Sequence, residues 1–134
     1  AADGTPRWTG TLGAPASAAP ALANGYVFVP TNSGELDVFT TGCGKPTCTP
    51  IWTATTGSTI TQPPAVKTGG LVFLVSSNHT VSAFNALGNC APSPPPCPPL
   101  WSKDVGATIT GGPVLAIGKV FVGIDDGRLI AYGV

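Results

Sequence analysis

The chain has 134 residues, enough for one domain with a core of its own. Apolar residues make up 43% but charged ones only 9%, and the formal net charge is zero, which leaves no electrostatic case for nucleic acid or an anionic membrane as partner. No apolar run reaches the roughly 18 residues of a membrane-spanning helix. A surface so poor in charge has little colloidal repulsion, which favours association or glycan cover.

Residues 1–7 read as a polar lead-in, and Ala1-Ala2 as a normal mature start if a signal peptide has been removed. Trp8 to Thr11 then reads as a short strand, broken by Gly13-Ala14-Pro15. Pro20-Ala21-Leu22 is a second strand of small residues, turned by the hairpin dipeptide Asn24-Gly25. Tyr26 to Val29 has no polar gap, as expected of a strand buried on both faces. Ser33-Gly34 turns into Glu35 to Phe39, where charged and apolar residues alternate. Glu35 and Asp37 share one side of that strand and are expected to be solvated.

This order then recurs. Trp8, Gly13 and Pro20 are matched by Trp52, Gly57 and Pro64, and again by Trp101, Gly106 and Pro113. The apolar strand returns as Leu71 to Val75 and Val120 to Val122, and the last strand as Val81 to Phe84 and Leu129 to Tyr132. The turns between them are Asn78-His79 and Asp126-Gly127. Trp follows Trp after 44 residues and then after 49, a period that marks a stacked array of one supersecondary unit. The reading is therefore all-β. One domain, 1–134, holds three repeats of about 8–51, 52–100 and 101–134, each with a Trp strand, a Pro strand, an aliphatic–aromatic strand and an alternating strand.

Two long loops, Thr41–Pro50 and Leu87–Pro99, carry the four cysteines as local pairs, each ending four residues before a repeat Trp. Repeat symmetry selects the disulfides Cys43–Cys48 and Cys90–Cys97. Zinc is the competing reading, but neither pair is CxxC and no histidine lies near. Closing such short loops stabilises by roughly 2 kcal/mol, so the bridges are expected to tidy exposed loops rather than hold the core. They favour an exported protein, extracellular or periplasmic. The run Asn89 to Pro99 reads as a stiff polyproline-like excursion, with a proline-rich ligand as the sharper reading.

Little here suggests chemistry. His79, the one histidine, sits at a hairpin tip with no hint of a nucleophile or an orienting acid. Asn78-His79-Thr80 is an N-glycosylation acceptor on an exposed turn, which makes Asn78 the candidate glycan site. Asp125-Asp126-Gly127 could be read as a calcium loop, but it offers too few oxygens and is more simply a type I′ hairpin.

The pattern Gly-x-x-x-Trp, then Pro-Ala-Val or Pro-Val-Leu, then Val-Phe-Val, then Asp125-Asp126-Gly127-Arg128-Leu129-Ile130-Ala131-Tyr132, resembles the PQQ-like (quinoprotein-type) β-propeller repeat. The cysteines resemble those of secreted bacterial members, whose repeats read Gly-Cys…Cys-x-Pro-Leu-Trp. The resemblance covers residues 8–134. It implies blades of four antiparallel strands, Pro strand innermost and Trp strand outermost, with Trp8, Trp52 and Trp101 docking between blades and their indole N–H groups bonded to backbone. Thr40 and Asn85 depart from the family's usual Asp, and His79 from its turn Gly.

Family members that use a quinone hold it over the propeller axis with acidic, Asn and Arg residues around calcium, usually above a Trp floor. None of this maps here, since the tryptophans hold outer-strand positions and Arg7 and Arg128 are isolated. No cofactor, metal or catalytic residue is expected.

The expected function is that of a secreted, non-enzymatic scaffold. The alternatives are a fragment of a PQQ-dependent oxidoreductase, or a carbohydrate- or protein-binding propeller module. The material for a third blade is divided between the two ends, Trp8–Thr11 and Pro113–Tyr132. Three blades are too few to close, so self-association is expected, the Trp8 strand of one molecule completing the last blade of the next as a ring or filament. Further blades of a longer chain are the alternative partner.

Overall fold

Each repeat breaks into strands where its glycines and prolines fall. A computed structural model describes residues 3–90 and 94–134, and among these there are thirteen strands and no helix. The first repeat holds β1 (Thr9–Gly10), β2 (Ala21–Ala23), β3 (Tyr26–Pro30), β4 (Glu35–Thr40) and β5 (Thr47–Cys48). The second holds β6 (Trp52–Thr55), β7 (Ala65–Lys67), β8 (Leu71–Ser76) and β9 (Thr80–Asn85). The third holds β10 (Trp101–Asp104), β11 (Ile109–Ala116), β12 (Lys119–Ile124) and β13 (Leu129–Gly133).

The sheets are offset from the repeats by one strand. Blade one is ordered β2-β3-β4-β6, blade two β7-β8-β9-β10 and blade three β11-β12-β13, with antiparallel neighbours throughout. The Pro-side strand is innermost and the Trp strand of the following repeat outermost. Among the described residues blade three has these three strands. The two pieces of its expected four-stranded set do not meet, because β1 pairs with β5, in parallel, at the other end of the molecule.

Strand alternation gives each blade two working faces. On one face of blade one lie Phe28, Leu36 and Val38, and these pack with Trp52, Val72, Leu74 and Phe84 in the core between blades one and two. On the opposite face of blade two, Phe73, Val75, Val81 and Ala83 pack against Val120, Val122 and Ile109 of blade three. The core is therefore a series of blade-to-blade seams, as expected of a repeat array in which each unit contacts only its neighbours.

Turn geometry also repeats, with one departure from expectation. Asn24 and Gly25 both have positive φ (55° and 79°), as a type I′ hairpin requires. The β12–β13 connection is not type I′. Gly127 N–H bonds to the Ile124 carbonyl (3.2 Å), and Gly127 alone among Asp125, Asp126 and Gly127 takes positive φ (90°). This is a type I turn followed by one left-handed residue. Gly34 (φ 88°) and His79 (φ 67°) hold the same place in blades one and two, their N–H groups bonded to the Thr31 and Ser76 carbonyls. Asp126 stabilises the turn by accepting from the Arg128 N–H and guanidinium.

Blade three uses Ile117-Gly118 where blade one uses Asn24-Gly25. Ile117 has φ 44° and is 85% exposed, so a β-branched side chain sits in the left-handed region with little packing in return. Ile117→Asn is expected to stabilise the chain by about 1 kcal/mol, read as a rise in urea midpoint. No rise would show that Ile117 has compensating contacts.

Candidate functional site

Each repeat Trp joins its strand to the following blade. Trp8 lies 5.8 Å from Phe39, and its indole N–H bonds to the Thr41 carbonyl (3.1 Å). Trp52 is 7% exposed, edge-on to Phe28 at 6.3 Å and packed with Phe84. Trp101 sits between Phe73 (6.1 Å) and Tyr132 (5.8 Å). Trp52 and Trp101 thus each touch two blades whereas Trp8 touches blade one alone, and the indole bond to backbone is not shared by all three: the Trp52 N–H is buried without a partner.

Both disulfides are present, Cys43–Cys48 and Cys90–Cys97. They do more than tidy exposed loops, because their second cysteines are buried (both 4% exposed) and each loop bonds the outer edge of the preceding Trp strand. Thr9 and Thr11 N–H groups donate to the Pro46 and Cys48 carbonyls. In the next repeat Cys97 N–H donates to Thr53 and Thr55 N–H donates to Cys97. The loop of one blade so covers the edge of the Trp strand before it, a protection against stray strand pairing. Residues 91–93 of the proline-rich loop lie outside the described residues. Cys90→Ser/Cys97→Ser is expected to cost about 2 kcal/mol. It should also speed amide exchange at Thr55, and unchanged exchange there would argue that the loop covers the edge without its bridge.

The Glu35–Asp37 side of β4 is not solvated as expected. Asp37 is fully buried, and its Oδ2 accepts the Gly13 N–H (2.9 Å), because the segment after β1 folds over this face. Its Oδ1 is buried without a hydrogen-bond partner. Burial, then a hydrogen bond to Asp37 and the Asp37 charge, raise the Glu35 carboxyl above its ordinary 4.5. The folded chain therefore holds that proton more tightly than the unfolded one. Stability is expected to be fully present below about pH 4.5 and to fall as pH rises through the raised value. Melting curves of Glu35→Gln should lose this slope, and an unchanged slope would place its origin elsewhere.

The remaining polar candidates are dispersed. His79 occupies the left-handed turn position, its carbonyl accepting the Val105 N–H (2.9 Å). Asn78 is exposed on the same turn, its Oδ1 accepting from Ser76 (2.7 Å). Arg128 is held by Asp126 and by the Val105 carbonyl. A shallow cavity of about 290 Å³ between β7 and β11 is lined by Val66, Lys67, Leu115, Ile117 and Lys119. It offers two ammonium groups and no carboxylate side chain, so this donor set does not fit a calcium-bound quinone. Among the described residues no cluster of three or more His, Cys, Asp or Glu could hold a metal.

Exposure differs between equivalent positions of the three blades. Phe28, Leu36 and Val38 in blade one, and Phe73, Val81 and Ala83 in blade two, are fully buried. Their equivalents in blade three are half-buried Phe121, Leu129 (72% exposed) and exposed Ala131. At the other end, Val72 and Leu74 of blade two are fully buried, whereas Val27 and Val29 of blade one are half-buried beside Leu22 (71% exposed). This unequal exposure could not be read from a sequence whose repeats look alike.

The family model described as outer membrane protein assembly factor BamB, a PQQ-type model, matches residues 1–89. The chain belongs to the PQQ-like β-propeller repeat family. A search of curated proteins gives no match. Among solved structures, BamB from Moraxella catarrhalis is similar at 16% identity and a TM-score of 0.67, over 91% of this chain and 34% of that one. The computationally designed Ika4 protein is similar at 16% identity and 0.67, over 86% and 64%. Quinohemoprotein alcohol dehydrogenase from Comamonas testosteroni is similar at 20% identity and 0.65, over 90% and 19%. At these identities the likeness is one of fold, and this PQQ-like repeat chain spans less than two thirds of each structure's length.

Proposed function

We propose that the chain is a non-enzymatic scaffold unit, exported to an extracellular or periplasmic setting, which works through blade edges and end faces and associates head to tail. The observation that carries this is the state of β1. Its one edge is bonded to β5 just as the Trp52 strand is bonded by the Cys97 loop, while its other edge, the one β6 and β10 use to complete their blades, pairs with no strand among the described residues. At the far end β13 likewise has no strand on its outer side. We read these two edges as a joint for a strand of the same repeat type.

The low charge of the surface favours association. The two disulfides suit an oxidising compartment. A glycan on Asn78 would sit on the exposed β8–β9 turn, away from both end faces. In a longer chain the same joint takes a further blade of this repeat type in place of a second copy.

Deleting residues 1–11 tests the proposal, because it removes β1 and keeps every strand of blades one to three, at the cost of the Trp8 contact with Phe39. The truncated chain is expected to elute later on size exclusion by far more than its lost mass, with its strand signature retained. Elution unchanged but for that mass would overturn the proposal. The likeness to the quinohemoprotein dehydrogenase supports a second reading, a segment of a larger quinone-dependent oxidoreductase. Quinone and calcium added to the chain would then shift the visible absorbance of the quinone, whereas a scaffold leaves it unchanged.

A further inference from the structure

We infer that one rim of the chain is a docking surface for a lipid bilayer that carries anionic headgroups. The rim is the end at which β2–β3, β7–β8 and β11–β12 turn, and to which the loops after β4 and β9 run. It is a different surface from the blade edges and end faces of the scaffold reading.

The formal charge of zero hides a separation that the strand order creates. Lys45 lies in the loop after β4, Lys67 ends β7 and Lys119 opens β12, all at this rim. Glu35 opens β4 with Asp37 two residues on, Asp104 ends β10 opposite Thr80, and Asp125 and Asp126 form the β12–β13 turn. These five acids lie toward the opposite rim. Asp3, in the lead-in, is the one carboxylate side chain outside that group. Lys103 and Arg128 lie with the acids, Arg128 paired with Asp126. The expectation that charge gives no case for an anionic membrane therefore holds for the chain as a whole and fails for this rim.

The concave surface of the rim repeats one arrangement, an ammonium group beside an exposed aliphatic side chain. The cavity of about 290 Å³ that holds Lys67 and Lys119 is also lined by Ile117. One of about 440 Å³ sets Lys67 beside Leu87, and one of about 320 Å³ sets Lys45 beside Ile51. Arg7 and Lys45 line a fourth, and none of the four is lined by a carboxylate side chain.

These hollows are shallow and spread over the three blades, so a flat partner meets them together where a compact ligand would meet one. A bilayer surface takes aliphatic tips into its acyl boundary while ammonium groups meet its phosphates. An acidic protein would answer the charges alone. Ile117 decides between them. It holds, at φ 44°, the left-handed turn position that Asn24 fills in blade one, and the folded chain leaves it exposed. Insertion supplies the burial that the fold withholds. Neighbouring blades pack on strand faces, so this rim stays open whatever lies beside blades one and three.

Co-sedimentation with vesicles tests the inference. The chain should pellet with phosphatidylcholine vesicles carrying about one third phosphatidylglycerol, stay in solution with phosphatidylcholine alone, and be released by high salt. Lys67→Gln/Lys119→Gln should weaken binding about 25-fold, since each cation near an anionic surface contributes about fivefold. Lys103→Gln, toward the opposite rim, should leave it unchanged. Ile117→Asn should weaken binding about tenfold, as for two methylene groups withdrawn from lipid, while the urea midpoint rises. That rise separates lost binding from lost folding. No pelleting with the anionic vesicles overturns the inference, as does undiminished binding by Lys67→Gln/Lys119→Gln. Binding to soluble polyglutamate without binding to vesicles also overturns it, and assigns the rim to an acidic protein.

Discussion

Phe28→Ala lowers the stability of the chain by about 3–5 kcal/mol, the range for emptying a packed aromatic site. Phe28 lies on β3, opposite Val38, and none of its surface reaches solvent. Its ring stands 6.3 Å from that of Trp52 at 76°, and both belong to the seam that joins blades one and two. A domain of this kind is stable by only about 5–15 kcal/mol, so the loss is a large share. The repeat supplies a control. Phe121→Ala makes the same change at the corresponding place of blade three, where the ring is half-buried, and in the monomer it should cost less than half as much. Urea unfolding of the two variants decides this, and equal losses would show that the seams do not set the stability.

Gly34→Ala should cost about 3 kcal/mol, by two separable effects. Gly34 has φ 88°, where an L side chain loses about 1–2 kcal/mol. A Cβ there would also stand 2.5 Å from the Ser58 carbonyl oxygen and 2.6 Å from its nitrogen, and crowding of this kind costs about 1–3 kcal/mol. The contact cannot relax as a side chain would, because Ser58 meets it with backbone. The Gly34 carbonyl is also fixed, accepting the Thr56 N–H (2.8 Å) and hydroxyl (3.0 Å). Gly127 has nearly the same φ (90°) but nothing within 4 Å of its would-be Cβ, so Gly127→Ala should show the backbone cost alone. Melting curves that move equally for the two would mean the Ser58 contact yields without cost.

Much of the architecture was legible because it is written in periodic side chains. Trp, Gly and Pro at constant spacing marked the strands, and the alternating apolar runs marked the faces they bury. The disulfide loops were half legible: repeat symmetry paired the cysteines, yet their bonding to the preceding Trp strand runs through backbone N–H and carbonyl groups, which carry no side-chain signature. Glu35 and Asp37 misled for a related reason. Alternation places them on one face, but whether that face is wet depends on what covers it, here the segment around Gly13. At Asp125-Asp126-Gly127, Asp-Gly fits two turn types. The backbone separates them, since here as at Ser33-Gly34 and Asn78-His79 only the last residue turns left-handed.

Light scattering on the chain at several concentrations tests whether the molecules associate. Joined at the two end faces, molecules should show a mass of at least twice 13.3 kDa, concentrated near that value if two copies close a ring and rising with concentration if they form a filament. A monodisperse 13.3 kDa species at every concentration would contradict it.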